Sequence, residues 1–312
     1  MNTNLRPAVA AVLLAGACAC EGPPDGRGPQ SDAAWNVVYD SGTELTAIWG
    51  SGPSDVWAVG GRFTSGFIRH WDGSAWEPVG GGPEPLYGVW GTGPDDVWAV
   101  GSSGQIRHLT DAGWASVPSG TTETLTDVWG TSGSDVWATG FDGTLRHWAG
   151  ASWTASDGGI GAVDFNGVWA SAANDVWVVG DNGTILRWNG SGWTSVPSGT
   201  TRELSGIWGA GPDDIWAAGV GGTVLRWNGA AWGLVDAGAG STRFVNVWGS
   251  AKNDVRAFGF VGRIYRWDGV TWTREPAPTS HDLYGMWASG PDDLWAVGAL
   301  INPGSGVILH RP

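Results

Sequence analysis

Short apolar runs alternate with clusters of turn residues along most of the chain, and the alternation repeats about every 40 residues. In one unit the run Asp175–Gly180 is followed by apolar stretches at 184–188 and 193–196, with Gly, Asn and Ser between them. Runs of this length, rich in β-branched and aromatic residues, are typical of strands, and the repeated part of the chain shows no helical period. Each unit is therefore predicted to form four β-strands.

Tryptophan marks the same points in every unit, and all 25 tryptophans occupy four positions of the repeat. The second position lies eight residues after the first, with Arg256 as its one substitute, and the third and fourth positions are five residues apart. A fixed period of this size is the signature of a repeat fold. The first position, with spacings of 39 to 41, is held by Trp49, Trp90, Trp129, Trp169, Trp208, Trp248 and Trp287.

Seven such units predict an all-β fold, a seven-bladed β-propeller of four-stranded antiparallel blades. The seventh unit ends near Pro312 without a fourth strand, whereas residues 33–38 contain Trp35 and match the missing strand. We expect this N-terminal strand to complete the last blade and close the ring. The pairs Asp72-Gly73, Asn189-Gly190, Asn228-Gly229 and Asp268-Gly269 predict two-residue hairpin turns.

The first 20 residues have the composition of an export signal, with an apolar run and small residues before a cysteine. Residues 21–32 are predicted to be a flexible tether, and residues 33–312 the propeller. The stretch ending at Cys18 and Cys20 resembles the lipobox of bacterial lipoproteins, which implies lipidation of one of the two. The chain is thus expected to be exported and lipid-anchored in the bacterial envelope, at the outer membrane or cell surface. The alternative is a plain secretory signal and a secreted protein.

The charge and composition of the chain argue against several classes of partner. The formal net charge of −14, with Lys252 as the only lysine, argues against nucleic acid and anionic lipid, which need basic patches. Because both cysteines lie in the leader, the propeller has no disulfide and no cysteine-based metal site. No phosphate-binding or dinucleotide motif is present, and the Gly-Pro-Asp-Asp loops are expected to be turns rather than calcium sites. We therefore expect a monomer with no metal or cofactor, attached to the membrane only through an N-terminal lipid.

Two charged positions also recur in every unit. Their sevenfold repetition favours structural pairing, within a blade or across to the next, over a catalytic dyad or metal site, because chemistry needs one asymmetric site. The same reasoning favours a packing role for the tryptophans over a role as sugar platforms. The aspartate set is Asp55, Asp96, Asp135, Asp175, Asp214, Asp254 and Asp293. The basic set is His70, His108, His147, Arg187, Arg226, Arg266 and His310.

Loop length varies at one end of the predicted propeller only. The loops from first to second and from third to fourth tryptophan are constant, whereas the hairpin between second and third strands is extended in units one and seven. Ring closure makes these two units neighbours, and variable loops on a rigid scaffold commonly carry binding. Drift without function is the alternative. The candidate ligand-binding residues are Arg62, Phe63, Tyr87, Arg202, Arg243, His281, Tyr284, Leu300, Ile301 and Asn302.

The repeated motif Val-Trp-Gly-x-Gly-Pro-Asp-Asp-Val-Trp-Ala-Val-Gly, across residues 35–311, resembles the Trp-rich propeller lipoproteins of bacteria, particularly myxobacteria. It is more distantly similar to tectonin-type and WD-like repeats, although the usual WD marks and the sialidase Asp-box are absent. The resemblance implies a fold but no ligand. The expected function is a non-catalytic envelope or secreted module that binds a glycan or protein. A glycosidase or lyase is one alternative, with Glu84, Asp164, Glu203 and Asp282 as candidate acids, and a structural envelope component is another.

Overall fold

The computed structural model describes residues 34–300 and 305–312, apart from the side chains of Asp40 and Ser41. The predicted leader, tether and lipidated cysteines (Cys18 or Cys20) lie outside these residues, as do Ile301 and Asn302. Within the described part of the chain, 28 strands form seven four-stranded antiparallel sheets. The predicted seven-bladed propeller is confirmed. No helix among these residues has the length and apolar character needed to cross a membrane.

Each blade runs outward from the channel at the centre of the propeller. The innermost strands of blades one to seven are β2 (Leu45–Gly52), β6 (Leu86–Gly93), β10 (Leu125–Ser132), β14 (Phe165–Ala172), β18 (Leu204–Gly211), β22 (Phe244–Ala251) and β26 (Asp282–Gly290). The second strands are β3 (Asp55–Arg62), β7 (Asp96–Gly101), β11 (Asp135–Gly140), β15 (Asp175–Gly180), β19 (Asp214–Gly219), β23 (Asp254–Gly259) and β27 (Asp293–Ala299).

The outer half of each blade follows the same order. The third strands are β4 (Ser65–Trp71), β8 (Ile106–Thr110), β12 (Leu145–Trp148), β16 (Ile185–Trp188), β20 (Val224–Trp227), β24 (Arg263–Trp267) and β28 (Gly306–Arg311). The outermost strands are β5 (Trp76–Gly82), β9 (Gly113–Ser116), β13 (Trp153–Ala155), β17 (Trp193–Ser195), β21 (Trp232–Leu234), β25 (Trp272–Glu275) and, in blade seven, β1 (Asn36–Ser41).

The N-terminal strand closes the ring, as predicted. Strand β1 pairs antiparallel with β28, from Asn36 opposite His310 to Ser41 opposite Gly306. Neighbouring inner strands touch all the way round, and β26 contacts β2 to complete the circle. Because the sheet edges are protected by this closure, the fold needs no covalent link.

The connections lie at two ends of the propeller. The fixed end carries the turns between first and second and between third and fourth strands, such as residues 53–54 and 72–75. The variable end carries the other two kinds of connection, such as residues 63–64 and 83–85. Within residues 34–300, four second-to-third-strand turns at this end are single 3-10 turns, namely Ser102–Gly104, Asp181–Gly183, Val220–Gly222 and Phe260–Gly262.

The prediction of two-residue hairpin turns at the fixed end is wrong. Trp71 pairs directly with Trp76, so the loop holds four residues, and only its glycine, Gly73, has a positive φ (94°). The Asp72 carboxylate instead accepts hydrogen bonds from the backbone amides of Ser74 (2.8 Å) and Ala75 (2.9 Å). An aspartate or asparagine followed by glycine thus serves here as a side-chain cap of a longer turn.

Tryptophan clusters fill the interfaces between blades. The fully buried Trp98 of blade two lies 5.0 Å from Trp148 and 5.4 Å from Trp153 of blade three, ring centre to ring centre. Equivalent clusters occur at other interfaces. Such aromatic pairs contribute roughly 0.5–1.5 kcal/mol beyond area burial. First-position tryptophans cover the next blade as well, since a Cβ on Gly91 would lie 2.8 Å from the Trp49 ring.

The interface between blades six and seven departs from this pattern, at the point where the ring closes. Arg256 replaces the second tryptophan there, and Arg311 stands at the third position of blade seven. Glu275 lies between them: it accepts a hydrogen bond from Arg256 Nε (2.9 Å) and lies 3.4 Å from Arg311 Nη1. The indole N–H of Trp35 also donates to Glu275 (3.1 Å). A buried ionic cluster therefore replaces tryptophan packing where the N-terminal strand joins the last blade.

Candidate functional site

The recurring aspartates and basic residues pair within their own blades, at the fixed end. In blade one, His70 Nε2 lies 2.6 Å from Asp55 Oδ1, and Ser51 Oγ donates to Asp55 Oδ2 at 2.5 Å. The His70 ring stacks on Trp57 with centres 4.1 Å apart. The other six pairs are His108–Asp96, His147–Asp135, Arg187–Asp175, Arg226–Asp214, Arg266–Asp254 and His310–Asp293. Each carboxylate thus pairs with a basic side chain on the neighbouring strand of its own blade. This arrangement is suited to stabilising the hairpin formed by the second and third strands.

In blade six the aspartate of the pair contacts two arginines, Arg256 and Arg266. Burial would raise the pKa of the Asp254 carboxyl, but the charges of Arg256 and Arg266 and a hydrogen bond from Ser250 hold it below its ordinary value. Arg256 Nη1 lies 3.0 Å from both Asp254 oxygens. This aspartate therefore belongs to the ionic cluster at the closure interface.

The tips of the hairpins at the variable end hold residues in an unusual backbone conformation. Among the described residues of these tips, five non-glycine residues have φ between 54° and 59°: Phe63, Ser103, Asp142, Asn182 and Val261. Small polar residues tolerate this left-handed region, whereas it is strained for bulky and β-branched side chains. Phe63 is nevertheless 78% exposed and Val261 59% exposed, so burial does not account for the conformation of either residue. They lie in blades one and six, on either side of blade seven.

Two arginines accompany these apolar tips. The Arg62 guanidinium lies 4.7 Å above the Phe63 ring, and its Nε is 3.4 Å from Glu44. Arg243 is arranged similarly in blade six, 5.2 Å above the Phe260 ring and 3.4 Å from Glu203. Each arginine is thus placed between a glutamate and an aromatic ring, with its charge close to an apolar surface.

Other residues predicted for this end have mainly local partners. His281 contacts the hydroxyls of Thr279 (2.7 Å) and Ser305 (3.2 Å), and Leu300 N donates to Ser305 O, so both support the base of the blade-seven hairpin. Arg202 donates to the carbonyl of Gly221 in blade five.

Two tyrosines lie on the inner strands near the variable end. The Tyr87 hydroxyl accepts a hydrogen bond from Ser102 in blade two. Burial, with the charges of Asp282 and Glu44, raises the pKa of Tyr284 to about 12, while Arg243 lowers it. These interactions place Tyr284 among charged groups from blades six, seven and one.

The structure thus brings Arg62, Phe63, Arg243, Tyr284 and Leu300 into one sector of the variable end. Tyr87 and Arg202 lie in the blades that border this sector.

The acids considered for an enzyme each have structural neighbours. Asp164 accepts the backbone amide of Asp142 (2.9 Å), Asp282 that of Val261 (2.8 Å), and Glu203 the hydroxyl of Ser205 (3.1 Å). The backbone carbonyl of Glu84 accepts a hydrogen bond from Gln105. Among the described residues, no three His, Cys, Asp or Glu side chains come close enough to hold a metal ion.

The central channel contains a residue that the sequence reading passed over. Its cavity of about 540 Å³ is lined by the inner strands, and Asp127 lies in its wall. The Asp127 oxygens accept the backbone amides of Val128 (2.8 Å) and Val168 (3.0 Å). Desolvation outweighs these bonds and raises the pKa of Asp127 to about 7. The available signal was its position two residues before the first tryptophan, where the other blades have only Ala, Gly or Asn.

No protein-family model and no curated protein matches the sequence. The fold is similar to solved propellers. A structure described as YCF48 bound to D1 peptide aligns at 16% identity and a TM-score of 0.70, covering 89% of this chain and 94% of that one. YCF48 from Cyanidioschyzon merolae aligns at 21% and 0.69, covering 89% and 98%. The WD40 propeller domain of Doa1 aligns at 10% and 0.73, covering 89% and 97%. These likenesses show the shared fold.

Proposed function

We propose that this protein is a non-catalytic binding module that holds a protein partner through the variable end of blades six, seven and one. The observation that carries the proposal is the pair of strained, exposed apolar tips, Phe63 and Val261. Non-glycine residues in the left-handed region cost roughly 1–3 kcal/mol each and cluster at ligand-binding sites. Other blades place Ser103, Asp142 and Asn182 in the same turn conformation, so it is the bulky side chains of Phe63 and Val261 that favour a surface kept for contact over a surface kept for stability.

The chemistry of these tips favours a protein over a glycan. Exposed phenylalanine and valine side chains offer apolar area but no hydrogen-bonding group for the hydroxyls of a glycan. Arginine and aromatic residues, in contrast, contribute most of the binding energy at protein interfaces. Arg62 and Arg243 lie beside the tips and supply the arginine side chains that such an interface uses. The similar fold of YCF48, in a structure that contains a bound D1 peptide, supports a peptide or protein ligand for this chain as well.

The cellular setting belongs to the same proposal and rests on the sequence. The leader at residues 1–20 favours export, with a lipid on Cys18 or Cys20 as the membrane anchor. Kinship with the Trp-rich bacterial propeller lipoproteins rests on the repeated tryptophan motif. In this setting the monomeric propeller presents its variable end to a partner in the envelope or outside the cell.

A peptide selection tests the proposed binding surface. A phage library of random dodecapeptides is selected on the purified protein, and the selected peptides are titrated against the double variant Phe63→Ser with Val261→Ser. The matched control is Val270→Ser, because Val270 is 69% exposed but lies at the fixed end. Loss of two interface anchors at ~1–2 kcal/mol each predicts an affinity loss of at least about tenfold.

Two outcomes contradict the proposal. One is a selection without binders, or with binders that weaken on Val270→Ser and not on the double variant. The other is a glycan-array signal that the double variant retains in full, which would assign the ligand to another class and another surface.

A further inference from the structure

The channel cavity has a composition unlike that of the outer surface. Within the described part of the chain, its lining includes the carboxylates of Asp127 and Glu44 and no lysine, arginine or histidine. Glu44 is already paired with Arg62, so among the residues that the structure describes Asp127 is the one acidic side chain in the wall without a basic partner. A cavity that holds an uncompensated carboxylate and no cation favours a positively charged ligand.

The Asp127 carboxylate retains hydrogen-bonding capacity. Each of its oxygens accepts one backbone amide, at 2.8 and 3.0 Å, whereas a carboxylate offers about four acceptor positions. Asn246 occupies the same position in blade six and accepts the amide of Val247 at 2.8 Å. The amide side chain therefore suffices for the local backbone bond, and the charge on Asp127 is the feature that distinguishes blade three.

The rest of the wall suits an alkylammonium group. Tyr87, Tyr284 and Asn166 supply oxygens that accept hydrogen bonds, and five of the seven first-position tryptophans also line the cavity. Indole rings accommodate an alkyl chain and attract an ammonium group through their π faces. A volume of about 540 Å³ lies within the range of small-molecule sites.

We propose that the central channel binds a primary alkylammonium ligand, with Asp127 as its counter-ion and the tryptophans as the wall along its alkyl chain. The ammonium group can come from a free amine or from a lysine side chain of a bound protein. The site is separate from the tips of the variable end, so it stands or fails independently of the protein-binding surface.

Cation binding at Asp127 has a protonation consequence. The ligand favours the charged carboxylate, and because the pKa of Asp127 is about 7, binding releases a proton near neutral pH. The charged fraction rises about tenfold between pH 6 and pH 8, and affinity is expected to rise with it.

The surrounding titratable groups do not produce the same dependence. The titratable side chain on β6 is Tyr87, and β14 contributes none. On the adjoining second strands, Asp96 and Asp135 are bonded to their own histidines at the fixed end. Across the channel are Glu44 and Tyr284, and the pKa of Tyr284, about 12, lies outside the tested range.

The test is calorimetric titration of the protein with n-pentylamine and with n-pentanol, its neutral analogue, at pH 6, 7 and 8. We expect saturable binding of the amine, about tenfold tighter at pH 8 than at pH 6, and at least tenfold weaker binding of the alcohol. Asp127→Asn should lose the pH dependence and about tenfold in affinity at pH 8, while Asp111→Asn, the same change on an exposed turn, should not. Equal binding of amine and alcohol, or an unchanged Asp127→Asn variant, overturns the proposal.

A reciprocal variant guards against loss of folding in Asp127→Asn. Asn246→Asp places a second carboxylate at the same level of the channel, and it is expected to tighten pentylamine binding several-fold; no gain in a folded variant counts against the site. Nα-Acetyl-lysine methylamide, whose side-chain amine is free, and its norleucine analogue then distinguish a lysine side chain from a free amine as the source of the ammonium group. Binding of the lysine compound extends the site to lysine side chains, and its failure beside pentylamine binding restricts the site to free amines.

Discussion

Removal of the Glu275 carboxylate should weaken the propeller at its closure more than any comparable change on its surface. Glu275 accepts hydrogen bonds from Arg256 (2.9 Å) and Trp35 (3.1 Å) and lies 3.4 Å from Arg311. Arg256 has no solvent exposure, and among the described residues its guanidinium keeps Asp254 as its one charged partner in Glu275→Ala. Breaking a buried ion pair costs ~3–5 kcal/mol, which is a large part of the ~5–15 kcal/mol that stabilises a typical domain.

Urea unfolding followed by tryptophan fluorescence measures this loss, with Glu77→Ala on an outermost strand as the exposed control. We expect a fall of about 4 kcal/mol for Glu275→Ala and less than about 0.5 kcal/mol for the control. Hydrogen exchange at the amides of Asn36–Ser41 should accelerate as well, because this strand joins the sheet beside the cluster. Equal stability of the two variants would refute a structural role for the ionic cluster.

A second variant tests whether the cluster stands in for tryptophan packing. Arg256→Trp, Glu275→Val and Arg311→Trp together rebuild the apolar arrangement found between other blades. Because buried ion clusters can be replaced by packed apolar groups at little cost, we expect this triple variant to be at least as stable as the natural protein. A triple variant as weak as Glu275→Ala would show that the closure interface cannot accept tryptophan.

Three further predictions concern the blades, the tips and the channel. Asp175→Ala should lower the free energy of unfolding by ~3 kcal/mol, because Arg187 and the indole of Trp177 lose their acceptor, while peptide binding persists. Val261→Asn should raise the stability by about 1 kcal/mol in urea unfolding, since asparagine tolerates a φ of 59°, and Val270→Asn at the fixed end should not. For Asp127 the folded-state pKa of about 7 exceeds the ordinary aspartate value of 3.8, so its contribution to stability is fully present at low pH and is lost as pH rises through 7. Thermal unfolding should therefore show the natural protein losing ~4 kcal/mol relative to Asp127→Asn between pH 4 and pH 8, and parallel pH profiles would contradict this.

The architecture was predictable because it rests on local and repeated signals. Tryptophan spacing defined the blades, and the position of Trp35 identified the closing strand. The same repetition identified Arg256 as an exception but not its partner Glu275, which lies on the outermost strand of the same blade and stands where other blades have Val or Ser. The turns at Asp72-Gly73 were misread because a two-residue pattern does not reveal which residues pair across the hairpin.

The candidate sites were predictable only in part. Loop length pointed to the sector that contains Phe63, but the strain at Phe63 and Val261 appears only in the backbone angles. The environment of Asp127 is created by the channel, where residues from seven separate repeats meet after ring closure. A lone aspartate among Ala, Gly and Asn at one repeat position carries no signal of burial until that cavity exists.

Hydrogen exchange with and without a selected peptide tests the central claim most directly, namely that binding lies at the variable end of blades six to one. The account predicts slower exchange at residues 61–65 and at Phe260–Gly262, and unchanged exchange in the fixed-end turns at residues 53–54 and 72–75. Protection confined to the fixed-end turns, or spread evenly over all seven blades, would contradict it.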